Sequence, residues 1–136
     1  MADGVRKVQH YGIYVEDTVG AAARLLEHLG DLNFIAMWGY TMEPGKARLE
    51  LIPEDPSAFA AAAKAASLNF DAPTTVFYLT GDDRRGAMAA ALGTLARAGI
   101  SVGAAHGISD GRGGYGAIFY VAADDVQKTA AALGAT

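Results

Sequence analysis

The sequence predicts an α+β fold made of two β-α-β-β-α halves, with antiparallel sheets and helices on one face. Strand-like and helix-like segments follow each other in the same order twice along the 136 residues. Two stretches that begin 66 residues apart, "VEDTVGAAARLLEHLGDLNFIA" and "GDDRRGAMAAALGTLARAGISV", also share an Asp three residues before a Gly and then an alanine- and leucine-rich helix. Duplication of one module explains this self-similarity. We therefore expect one module at residues 1–70 and a second at 71–136.

The strands are predicted from runs of β-branched and aromatic residues between turn signals. They are expected at 6–15, 33–42 and 46–52 in the first half, and at 72–80, 99–108 and 115–121 in the second. The stretch "KARLELI" alternates apolar and charged residues, which is typical of a strand with one buried face. This alternation places Lys46, Arg48 and Glu50 on a face that we expect to be solvated.

The helices are predicted from apolar residues at helical spacing and from start signals. They are expected at about 19–30, 54–68, 86–98 and 125–134. Asp55 followed by Pro56 is a strong helix start, because Asp caps the first amides and proline fits the first helical position. Asp124 is expected to cap the last helix.

The alignment of the two halves needs one insertion. An offset of 66 residues aligns the first helices and places Asn33 on Gly99, whereas an offset of 69 aligns Asp55 with Asp124. Three extra residues are therefore expected in the second hairpin.

This order is the ferredoxin-like plan, which normally closes with a fourth strand. Neither half has a fourth strand of its own, so each leaves an unpaired sheet edge. Because exposed edges are normally covered, we expect the two edges to pair with each other or with a second copy of the chain.

The composition narrows the possible partners. A formal charge of −4, a pI near 5.2 and no basic stripe argue against nucleic-acid binding. No apolar run is long enough to cross a membrane. The chain has no cysteine, which excludes thiol chemistry and suits the cytoplasm. Aromatic residues spread over the strands suggest a face that is buried in a homodimer.

The turn before each first helix is the candidate site. Amides at a helix N-terminus lack internal partners and carry partial positive charge, so they can bind a carboxylate. Gly20 and Gly86 would let a ligand approach the backbone. Asp17 and Asp83 could cap the helix or meet an ammonium group. A molecule with both a carboxylate and an ammonium group is an amino acid.

The stretch "DRRGAMAAALGTLARAGISV" resembles the Asp-Arg-Pro-Gly … Ala-Gly-Ile-Asn pattern that opens ACT domains, which are β-α-β-β-α-β regulatory modules that bind amino acids. Arg85 stands where Pro is usual and Ser101 where Asn is common. The resemblance implies a homodimeric, non-catalytic sensor of an amino acid or related carboxylate, without a cofactor, in which the ligand lies between modules. The implied binding residues are Asp83, Arg85, Gly86, Ala87, Gly99 and Ile100, and also Asp17, Gly20 and Asn33.

Two other interpretations stay open. The opening "VQHYGIYVEDTVGAAARLLEHLG" also resembles vicinal-oxygen-chelate enzymes, which implies a divalent metal on His10 and Glu50. That family has β-α-β-β-β modules, whereas "DPSAFAAAAKAA" predicts a helix in place of the last strand. The third interpretation is a structural dimer or accessory subunit whose turns bind nothing.

Overall fold

A computed structural model of the chain describes residues 4–136. These residues form two compact units. The first unit is Gln9–Thr74, and the second unit combines residues 4–8 with residues 75–136. The expected modules, 1–70 and 71–136, stay a prediction, because the two units reflect packing and not ancestry. Among the described residues, no helix is both long and apolar enough to span a bilayer.

All six predicted strands and all four predicted helices are present. The first half of the chain contains β1 (Gly4–Glu16), α1 (Ala21–His28), β2 (Phe34–Glu43), β3 (Lys46–Pro53) and α2 (Pro56–Ala65). The second half contains β4 (Thr74–Asp82), α3 (Ala87–Arg97), β5 (Val102–Ser109), β6 (Gly114–Val121), a short 3-10 turn (Ala123–Asp125) and α4 (Val126–Leu133). The fold is therefore α+β, with two ferredoxin-like halves as predicted.

The strands follow the order β2-β3-β1-β4-β6-β5. In the first unit β3 pairs with β1 and β2, and in the second unit β6 pairs with β4 and β5; all four pairings are antiparallel. In each unit the middle strand of these pairings is thus the second strand of the β-β hairpin, as the ferredoxin-like plan requires.

Each unit has its own apolar core between the sheet and its two helices. In the first unit, Leu49 and Leu51 point to one face because they alternate along β3. Leu25 of α1 and Phe59 of α2 pack against that same face. In the second unit, Leu95 of α3 packs with the alternating residues of β4 and β6. Helices therefore share one face of the sheet within each unit.

A fourth strand is present in the second unit, where it comes from the same chain. In the second unit, the residues at the start of β1 lie beside β4 in the strand order. In the first unit, one hydrogen bond joins β1 to the segment before β4: the N–H of Asp71, which lies outside any strand, donates to the carbonyl of Gly12 over 2.8 Å. The edge of β4 in the second unit is thus covered by a segment of the same chain, whereas pairing with a second copy stays a prediction.

The end of α3 corrects two expectations. Gly99 has a φ of 74°, and the N–H of Ile100 donates to the carbonyl of Leu95 over 2.9 Å. These contacts form a Schellman motif, which ends the helix and delays β5 until Val102. Moreover, α3 has 11 residues and α1 has 8, so the three extra residues lie in this helix and not in the second hairpin.

The structural counterpart of Gly99 is therefore Gly30, which follows α1 with a φ of 70°. The expected alignment of Asn33 with Gly99 is wrong. The three extra residues of α3 precede Gly99, so the offset between the halves has already changed from 66 to 69 at this point.

The starts of α2 and α4 differ in their capping. The Asp55 side chain accepts a hydrogen bond from the N–H of Ala58 over 3.1 Å, and Pro56 opens α2 as predicted. Asp124 does not cap the last helix. It lies inside the 3-10 turn, and Asp125 at the N-cap position makes no side-chain capping bond.

We expect Asp55→Ala to lower the free energy of unfolding by about 1 kcal/mol, because the first amides of α2 lose their acceptor. Urea unfolding followed by circular dichroism measures this loss. Asp125→Ala is the matched control and should cost less, since it removes no capping hydrogen bond. Equal losses in the two variants would contradict this account of the cap.

Candidate functional site

The turns before α1 and α3 share one backbone conformation. Gly20 and Gly86 occupy the N-cap positions with left-handed φ values of 82° and 79°. In both turns, the residue after the glycine donates its N–H over 3.2 Å to the carbonyl two residues before the glycine. In both, the N–H four residues after the glycine donates to the glycine carbonyl over 2.9 Å. The repeat expected from the sequence is thus present bond by bond.

The aspartate before each turn is also held in an equivalent way. The N–H of Asp17 donates to the carbonyl of Gly45, and the N–H of Asp83 donates to that of Gly113. Both acceptors are glycines in the β-hairpin of the same half. Each hairpin therefore anchors the start of the strand–helix turn beside it.

A surface cavity of about 420 Å³ lies at the second turn. Its walls come from the turn, the first residues of α3, the end of β5 and the start of β6. The lining residues are Asp83, Arg84, residues 86–89, residues 107–109 and Tyr115. The amides of Met88 and Ala89 belong to the first turn of the helix, where no helical carbonyl is in reach.

The cavity combines the groups that a small zwitterion needs. The helix N-terminus offers N–H donors and partial positive charge to a carboxylate. The carboxyl group of Asp83 can accept from an ammonium group, while Met88 and Ile108 supply apolar surface. The volume falls within the range that small-molecule sites occupy, about 300–1,000 Å³.

The structure brings together three of the six binding residues expected in the second half. Asp83, Gly86 and Ala87 line the cavity, whereas Arg85, Gly99 and Ile100 are not among its lining residues. Gly99 and Ile100 instead form the helix cap described above, and Ile100 is only 5% exposed.

The three residues expected in the first half have separate local roles. Asp17 accepts a hydrogen bond from the Thr41 hydroxyl over 3.3 Å at the rim of its turn. The carbonyl of Asn33 accepts from the N–H of Glu54, which fixes the end of β3. Gly20 lies under the side chain of Arg24.

The first turn is covered by Arg24. A Cβ atom added to Gly20 would lie 2.9 Å from Nη1 of Arg24, whereas one added to Gly86 would meet nothing within 4 Å. The Arg24 guanidinium donates to the carbonyl of Val19 over 3.1 Å and approaches the Thr18 hydroxyl at 3.4 Å. Only the second of the two turns is therefore open at its glycine.

Sequence reasoning missed the side of the cavity formed by β5 and β6. Met88 packs against Gly107, where an added Cβ would lie 3.2 Å from both its Sδ and its Cε atoms. Ile108 is 77% exposed, which is unusual for a large apolar side chain on a strand. A glycine inside a predicted strand signals close approach of a neighbour and could have pointed to this contact.

A second polar cluster lies in the first unit. Nε2 of His10 is 2.9 Å from Oε1 of Glu50, the hydroxyl of Tyr40 donates to Oε2 over 2.8 Å, and Arg48 contacts both carboxylate oxygens. Nη2 of Arg48 also lies 2.8 Å from Oδ2 of Asp71. Gly12 makes room for this arrangement, since an added Cβ would clash with both the guanidinium and the carboxylate.

This cluster corrects the expectation that Arg48 and Glu50 lie on a solvated face. Glu50 is 5% exposed and His10 is 9% exposed. Alternation of charged and apolar residues predicts that the charged side chains are exposed to solvent only where no protein group pairs with them. Here the carboxylate has side-chain donors on three strands, which makes its burial tolerable.

The environment shifts the acid–base behaviour of the cluster. Burial lowers the pKa of His10 below its ordinary value, even though Glu50 beside it works in the opposite direction. Burial opposes the charge of Glu50, but hydrogen bonds from Arg48, Tyr40 and His10 lower its pKa overall. The hydrogen bond to Glu50 raises the pKa of Tyr40. Glu50 is therefore the anion around which the other groups are arranged.

The proximity of His10 and Glu50 was expected for a metal site, but their surroundings differ from one. Within residues 4–136, no three or more His, Asp or Glu side chains are grouped so that they could hold a metal ion. Nη2 of Arg48 lies 3.2 Å from the same Glu50 oxygen that faces His10, so a cation already occupies the space beside it. The order β-α-β-β-α also differs from the β-α-β-β-β module of vicinal-oxygen-chelate enzymes.

No protein-family profile and no curated protein matches the chain, whereas solved structures do. Protein BT0572 from Bacteroides thetaiotaomicron matches with a TM-score of 0.79 and 20% identity, over 97% of this chain and 88% of that one. The ligand-free regulatory subunit of aspartate kinase from Thermus thermophilus matches with a TM-score of 0.65 and 12% identity, over 98% and 95%. The chain shares its fold with these two proteins.

A further match is a protein of unknown function from Vibrio cholerae, with 27% identity and a TM-score of 0.51 over 97% of this chain and 86% of that one. At these identities the structural matches establish a shared architecture.

We expect stability to fall on acidification in a way that depends on His10. Because the pKa of His10 is lowered in the folded protein, the unfolded chain takes up a proton first as the pH drops below 6.5. The lowered pKa of Glu50 acts in the same direction at lower pH, below 4.5. Urea unfolding between about pH 7.5 and pH 5 should show the loss attributed to His10.

His10→Gln should flatten this pH dependence, because an amide can still donate to Glu50 but does not titrate. His28→Gln, which changes an exposed histidine of α1, is the matched control and should follow the wild type. Parallel curves for the wild type and His10→Gln would refute the role given to His10.

Proposed function

We propose that this chain is a regulatory protein that binds a small amino acid, or a related carboxylate, in the cavity at the start of α3. It carries out no catalysis itself. The observation that supports this most is the open turn at Gly86, where amide donors, the Asp83 carboxyl group and apolar side chains border one cavity.

The comparisons support the regulatory part of the proposal. One of the similar structures is the regulatory subunit of an aspartate kinase, and it covers nearly the whole of this chain. A regulatory subunit works by changing the affinity or activity of a partner when a ligand binds. In the same way, we propose that ligand binding at the second turn alters how this chain engages a partner.

The proposal includes a homodimer in the cytoplasm. Exposed apolar side chains on the strands, among them Tyr14, Tyr40 and Ile108, supply apolar surface that an interface between two copies would need. A cysteine-free sequence is compatible with a reducing compartment.

We expect at least one amino acid at millimolar concentration to raise the melting temperature of the purified protein. Binding to the native state alone adds about 2.7 kcal/mol at a ligand concentration of 100 Kd, which corresponds to a shift of several degrees. Differential scanning fluorimetry with each common amino acid measures the shift. A flat response to all of them would argue strongly against an amino-acid sensor.

The site is tested with a matched pair of variants on α3. Ala89 lines the cavity and is exposed, so Ala89→Trp should fill the cavity and abolish the ligand-dependent shift. Ala96 is also exposed on α3 but does not line the cavity, so Ala96→Trp should keep the shift. A shift that survives in Ala89→Trp would place the ligand elsewhere on the protein.

A further inference from the structure

The two turns have the same backbone but differ at one side chain that lies over the glycine. In the first turn, the residue four positions after the glycine is Arg24, and its guanidinium covers Gly20. In the second turn, the residue four positions after Gly86 is Ala90, which has no atoms beyond Cβ to reach back. The surface above Gly86 is correspondingly open.

The dipole of its own helix does not explain the position of the Arg24 guanidinium. The N-terminus of a helix carries partial positive charge, which disfavours a cation there. The guanidinium is instead held by oxygen acceptors of the turn, the carbonyl of Val19 and the hydroxyl of Thr18. These bonds place its bulk where an incoming ligand would have to approach the backbone.

We propose that Arg24 is an internal occupant of the first turn, so that each chain keeps a single open ligand turn, the one at Gly86. The duplicated halves are then functionally unequal, and Arg24 is the residue that makes them so. The identity of the ligand at Gly86 rests on the proposed function. The difference between the two turns does not, because it follows from the position of Arg24 over Gly20.

The inference is tested by titration with acetate, the simplest alkyl carboxylate, followed through the separate amide signals of Gly20 and Gly86 in ¹⁵N–¹H NMR spectra. In the wild type, acetate should move the Gly86 signal and leave the Gly20 signal in place. In Arg24→Ala, both signals should move. In Ala90→Arg, the response of Gly86 should be lost.

Both substitutions suit the test because they fall on exposed helix positions, and alanine and arginine are both good helix formers. An acetate-dependent shift at Gly20 in the wild type would overturn the inference, since it would make Arg24 a receptor for the anion. An unresponsive Gly20 in Arg24→Ala, or an unresponsive Gly86 in the wild type, would overturn it as well.

The same spectra separate this inference from the proposed function. Titration of the wild type with each common amino acid tests the proposed function through Gly86 alone. Should no amino acid move Gly86 while acetate behaves as expected, the amino-acid sensor fails and the unequal turns stand. Should an amino acid move Gly86 and Gly20 together in the wild type, the sensor stands and the role of Arg24 fails.

Discussion

A glycine in the left-handed conformation allows each half of this protein to pass from strand to helix within a few residues. A side chain at φ near 80° would strain the backbone, so the turn depends on glycine at positions 20 and 86. This conformation fixes where the helix starts, and hence which helical residues reach the core. The candidate site is therefore a consequence of the way the fold is connected.

What differs between the two halves is what lies over this turn. In the second unit, the end of β5 and the start of α3 leave a cavity with polar and apolar walls. In the first unit, a single long side chain occupies the corresponding surface. Because the two turns share one backbone conformation, the difference directly above their glycines comes from the side chain four positions after each glycine.

The buried cluster around Glu50 shows a different use of the sheet. One carboxylate draws together donors from β1, β2 and β3, and through Arg48 it reaches the segment that leads to β4. Burying a charge is costly unless it is paired with an opposite charge and hydrogen-bonded. The Glu50 carboxylate is paired with Arg48 and accepts a hydrogen bond from Tyr40. Breaking one member of such a network leaves the others without their partner. The cluster thus ties three strands and one connecting segment into a single arrangement.

The amino-acid sequence by itself determined the element order and the glycine turns. Periodicity and capping residues act over a few neighbouring positions, so they can be read locally, as at Asp55 and Pro56. It also placed Asp83, Gly86 and Ala87 correctly beside one another, since they are adjacent in the chain. Only the tertiary structure decided that Gly107 and Ile108 complete the cavity, that Gly99 and Ile100 cap a helix, and that Glu50 is buried. The cavity wall and the buried carboxylate depend on contacts with residues that are distant in sequence, which a local pattern does not encode. The cap at Gly99 is local, but its place in the alignment of the two halves depends on the length of α3.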